Sequence, residues 1–66
     1  MVGVYMFVRA AAYMGYMIVC YPGTNDAFYV INPSDYKNRL IPATAPVFSN
    51  LRQCYRYIDF LYDSDL

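Results

Sequence analysis

Reactive side chains are few in this chain, and their types exclude more chemistry than they suggest. Cys20 and Cys54 stand 34 positions apart, one in a β-rich run and one in a helical pattern. The chain has no His and no Glu, so neither thiol has a neighbouring base to activate it. Without His or a CxxC pair there is also no zinc-binding pattern. The five aspartates fall in turns or near the C-terminal end, and Gly23 stands alone as a turn glycine rather than in a phosphate-binding loop. The expectation is a non-enzymatic protein with no catalytic residue, no metal and no cofactor. Inward-facing reduced thiols in a cytoplasmic setting fit the two cysteines best, with a strand-to-helix disulfide as the alternative for a secreted chain. Asn32-Pro33-Ser34 is blocked as a glycosylation site by its proline.

What remains is binding chemistry. Nine tyrosines and four phenylalanines occupy 66 positions, and 59% of the residues are hydrophobic, above the usual roughly 45–50%. A chain of this length hides only about 60% of its unfolded surface. Its apolar surface therefore exceeds what one small core can cover, which points to a homodimer or a bound partner. Tyrosine suits such contacts, having an apolar ring, a wet hydroxyl and little side-chain entropy. Tyr29, Tyr36 and Tyr57 are the candidate exposed anchors, with Arg52, Arg56, Asp59 and Asp63 setting orientation and on-rate.

The formal charge is zero and the pI about 5.9, which argues against a purely electrostatic nucleic-acid binder. The charges are nevertheless segregated. Lys37, Arg39, Arg52 and Arg56 lie within 36–57 without a carboxylate among them, and three aspartates, Asp59, Asp63 and Asp65, follow Ile58. Those four cations, interleaved with Tyr36, Tyr55 and Tyr57, are the basis of the alternative reading, a small nucleic-acid-binding protein using segment 36–57. For Arg52, Arg56, Asp59 and Asp63 the plain alternative is a solvated helix face.

The elements that must position these residues centre on 15–32. Tyr16–Tyr21 and Ala27–Ile31 are β-rich runs flanking Pro22-Gly23-Thr24-Asn25-Asp26, and the pattern predicts a hairpin built round a type I turn. Alternation sets Tyr16, Ile18 and Cys20 against Met17, Val19 and Tyr21, so neither face is polar and both need cover. A helix is predicted over 49–63. Ser49 is its expected N-cap, Phe48 its staple, and Leu51, Cys54, Tyr55, Ile58, Leu61 and Tyr62 form one apolar stripe. Arg52, Arg56, Asp59 and Asp63 share the opposite line, with Arg56 paired to Asp59, and their order opposes the helix dipole so that the last turn frays.

Between hairpin and helix, Asn32-Pro33-Ser34-Asp35 ends the strand, Tyr36-Lys37-Asn38 continues the turn, Arg39-Leu40-Ile41 is a possible third strand, and Pro42 and Pro46 bracket an extended link. Segment 1–14 gives conflicting signals. Val2–Arg9 reads as a strand and Ala10-Ala11-Ala12 favours helix. A membrane span is disfavoured, since Arg9 at its middle costs about 2.5–3.5 kcal/mol.

The spacing GYMIVCY … AFYVIN … LRQCYRYID, over about residues 15–60, resembles small phage- and prophage-encoded accessory proteins. In these a strand pair precedes a helix ending in a Tyr-Ile-Asp-type motif, here Tyr57-Ile58-Asp59. The resemblance implies binding to a host or anti-phage defence protein and inhibition by occluding its surface. The fold class expected from all these signals is α+β: one domain, with a small antiparallel sheet of two to three strands packed by one C-terminal helix.

Overall fold

The computed structural model describes residues 6–64. It is α+β, a four-stranded antiparallel meander in the order β1-β2-β3-β4 with a C-terminal helix across one face. The strands are β1 (Val8–Tyr13), β2 (Tyr16–Cys20), β3 (Phe28–Ile31) and β4 (Val47–Phe48); the helices are α1 (Pro33–Lys37) and α2 (Leu51–Ser64). Among the described residues four strands, not two to three, make the sheet. The part of the expected first strand before Met6 lies outside the described residues, as does Asp65.

The N-terminal strand expected over Val2–Arg9 is found at Val8–Tyr13, where it takes in the alanine run. Ala10-Ala11-Ala12 favours helix locally, yet it lies in β1, because pairing with β2 outweighs a propensity of a few tenths of a kcal/mol per residue. β1 and β2 are joined by Met14-Gly15, with φ of 49° and 86°. Two positive φ values in a two-residue connection are the signature of a type I′ turn, whose twist matches that of the strands. Methionine is an unusual occupant of the first position, so the turn is poorly marked in the sequence.

A β-bulge between Arg9 and Ala11 interrupts the β1–β2 register. Along an uninterrupted strand Phe7 would share a face with Ala11 and Tyr13. The extra residue reverses that parity. Ala11 and Tyr13 pack toward α2 with Ile18, while Phe7 packs on the other face with Val19 and Ile31.

The hairpin between β2 and β3 forms as expected, with Ile18 opposite Val30 and Val19 opposite Tyr29. Its tight turn differs in type. Thr24 N–H donates to the Tyr21 carbonyl at 3.1 Å, with Pro22 and Gly23 (φ 86°) at the centre. Proline followed by a positive-φ glycine is type II geometry rather than type I.

Residues 32–46 depart furthest from expectation. Asn32 caps α1, its Oδ1 accepting from Asp35 N–H at 2.8 Å, and Pro33 takes the first helical turn. The helix ends in a Schellman motif, with Leu40 N–H donating to Asp35 O and Arg39 N–H to Tyr36 O. That motif places Arg39 at φ 57°, which is why Arg39-Leu40-Ile41 cannot be the expected strand. The link expected to be extended contains a turn, Ala45 N–H donating to Pro42 O at 3.0 Å. It then delivers β4, whose Phe48 and Val47 pair with Phe28 and Tyr29.

Helix α2 begins two residues later than expected. Its cap is Asn50, whose Oδ1 accepts from Gln53 N–H at 2.9 Å; Ser49 instead donates to Gln53 Oε1 from both its N–H and its hydroxyl. The stripe holds for Cys54 and Ile58, both fully buried, while Tyr62 is 53% exposed. Cys20 and Cys54 are free and buried.

Two cores result, one on each side of β2. Ile18, Val30, Cys54 and Ile58 fill the space beneath α2; Phe7, Val19 and Ile31 lie on the far face, covered by Tyr36, Ile41 and Ala45 among others. The second strand face is thus shielded by the chain itself, which removes one reason for requiring a second copy.

Ile58→Ala should cost about 2–5 kcal/mol, against a total stability on the order of 3–10 kcal/mol for this length. Urea denaturation should show a midpoint well below that of the native chain. By the same measurement, Met14→Asn and Arg39→Gly should each add about 0.5–1 kcal/mol by relieving left-handed strain.

Candidate functional site

The residues expected to make contacts divide by exposure. Arg52, Arg56, Asp59 and Asp63 all lie exposed on α2. The three tyrosines expected to be exposed are half-buried instead. Tyr29 packs edge-on to Tyr21 with centroids 5.8 Å apart, and Tyr36 lies 5.8 Å from Phe7. Tyr57 lies 5.2 Å from Phe48. Each ring therefore seals the margin of a core, and the cause is the small size of the sheet, whose two faces lack enough aliphatic side chains to close themselves.

The exposed aromatic residues are others. Phe60 is 67% exposed and Tyr62 53% exposed. Phe60 lies one turn beyond Arg56, and with Asp59 and Asp63 the four occupy one arc of the helix. An exposed phenylalanine ringed by charges of both signs has the composition of an interface anchor within a polar rim. Its sequence signal was available: Phe60 is an apolar residue that falls outside the stripe formed by Leu51, Cys54, Ile58 and Leu61.

The rim is partly tied to the sheet. The Tyr13 hydroxyl donates to Asp59 Oδ1 at 2.7 Å, and the Tyr13 and Tyr55 rings lie 4.7 Å apart. Asp59 thus takes a tyrosine hydroxyl from β1 where a pair with Arg56 was expected. This hydrogen bond holds the Tyr13 phenol above its ordinary pKa, with desolvation and the Asp59 charge acting in the same direction. At the helix end, where cations are lacking, the Ser64 hydroxyl donates to the Phe60 carbonyl at 2.9 Å.

The basic residues do not converge on one element. Lys37 is on α1 and Arg39 in the turn that ends it, and the intervening chain covers the face of the sheet opposite α2. Arg52 and Arg56 are on α2. The buried Cys54 thiol is pushed up by desolvation, which opposes the thiolate that nucleophilic chemistry needs. Among the described residues no group of three or more His, Cys, Asp or Glu side chains could hold a metal ion. No helix among them is long and apolar enough to cross a membrane.

Compared with known proteins, the chain matches no family, no curated protein and no solved structure.

Because the folded state holds the Tyr13 proton more tightly than the unfolded chain does, this contribution to stability is complete below about pH 10 and is lost as pH rises through the folded value. Urea midpoints measured from about pH 8 to about pH 11 should therefore fall more steeply for the native chain than for Tyr13→Phe.

Proposed function

We propose that this chain is a non-enzymatic protein-binding module that docks through the outer side of α2. The observation that carries the reading is the exposure of Phe60, at 67%, between Arg56, Asp59 and Asp63. Among the exposed large apolar side chains of the described residues Phe60 is the most exposed, and in an interface its burial is worth about 1.5–3 kcal/mol. The charges round it suit orientation and partner discrimination. A second copy of the chain is the simplest partner, since an isologous α2–α2 contact would bury both Phe60 rings at once. The narrower reading, inhibition of a host or anti-phage defence protein by surface occlusion in the cytoplasm, rests on the resemblance to phage accessory proteins. The nucleic-acid alternative is weakened by the division of Lys37 and Arg39 from Arg52 and Arg56 between two elements.

The test compares the native chain with Phe60→Asp. Affinity capture from the source lysate should retain a stoichiometric protein that the variant does not, or sedimentation equilibrium should give twice the 7.7 kDa chain mass for the native chain alone. The variant should remain folded, its unfolding midpoint lowered only by the lost association and by the added carboxylate at the helix end. A monomer that captures no protein but binds an oligonucleotide with steep salt dependence would overturn the reading.

A further inference from the structure

Away from Phe60, a solvent-open pocket of about 180 Å³ lies where the end of β3, the start of α1, the 42–46 turn and the C-terminal half of α2 meet. Small-molecule and cofactor sites occupy about 300–1,000 Å³, so this one has room for a single long side chain rather than a cofactor. Two tyrosines, Tyr16 and Tyr57, line it, together with Pro42, Pro46 and Leu61. Asp35 is the one charged residue among the described residues that line it.

That combination selects for charge and shape together. A carboxylate favours a cation, and tyrosine rings attract cations through their quadrupoles at distances up to about 6 Å. The proline and leucine walls suit an aliphatic stem, which a lysine or arginine buries readily while its head stays polar. An anionic side chain would meet only Asp35 as a charge, and a purely apolar one would desolvate the carboxylate without replacing its water.

We propose that this pocket binds the cationic side chain of a lysine or arginine presented by a partner protein. The site goes beyond docking through α2's outer side, because different side chains build it. Its positioning depends on α1, whose Asn32 cap and Schellman end hold Asp35 beside the 42–46 turn.

The experiment is a two-dimensional NMR titration of the full chain with three blocked tripeptides, Gly-Lys-Gly, Gly-Arg-Gly and Gly-norleucine-Gly. No macromolecular partner is used, so the result is separate from the fate of the Phe60 surface. The two cationic peptides should shift the amides of Tyr16, Asp35, Thr44 and Leu61, and norleucine should bind roughly tenfold more weakly, the size of one charge-assisted contact. Asp35→Asn keeps the backbone N–H that Asn32 caps and should weaken the lysine peptide by a similar factor, roughly tenfold. Thr44→Lys, at an exposed position on the rim, should abolish the shifts by supplying an ammonium of its own, which keeps the idea testable should Asp35→Asn unfold. Equal binding of norleucine, shifts scattered over the surface, no shifts at all, or lysine binding unchanged in folded variants would each overturn the proposal.

Discussion

A central strand that is apolar on both faces is the constraint on which this fold depends. Ile18 and Val19 are adjacent in β2, point to opposite sides, and are both completely buried. A strand of this kind cannot sit on the surface of a two-layer protein. The chain therefore builds a layer on each side of a small sheet: α2 on the Ile18 side, and Phe7 with α1 and the segment after it on the Val19 side. Neither layer is thick. Each is finished by tyrosine rings that are partly wet, which is how a chain with so many aromatic residues uses them.

The two layers are made compatible by local backbone features rather than by additional core. The bulge in β1 turns Phe7 away from α2 and toward Val19, so one strand contributes to both cores. The Schellman end of α1 reverses the chain at Arg39, and the turn at Pro42–Ala45 brings Val47 and Phe48 back to pair with β3. Met14 and Arg39 adopt left-handed conformations that glycine would accept more easily. Both are tolerated because the strand pairing and helix closure on either side determine the path of the chain there.

The same economy shapes the surfaces left for function. Tyrosines used as seals are not free to act as full anchors, so the candidate interface moves to residues that the cores do not recruit. Phe60 is one of these, on the arc of α2 that carries the charges. The pocket beside Asp35 is another consequence. It lies where four elements meet and their side chains do not fill the space between them. Polar residues from separate parts of the chain thereby come to share one concave surface, which strand and helix periodicity alone would not bring together.

Alternation and helical period were sufficient to establish the β2–β3 hairpin, the opposed faces of Ile18 and Val19, and α2 with Cys54 and Ile58 turned inward. These features depend on residue types two, three or four positions apart, and such patterns survive in almost any packing. The helix α1 was also present in the sequence as Asn32-Pro33, an N-cap followed by a proline at the first helical position, although it reads equally as a strand terminator. Tertiary structure alone decided the rest. Pairing with β2 made Ala10–Ala12 a strand, the bulge chose the face for Phe7, and packing reduced Tyr29, Tyr36 and Tyr57 to half-buried seals while leaving Phe60 in water. The physical reason is that a side chain's exposure and a weak local propensity are settled by neighbours distant in sequence, whose cover no short window contains.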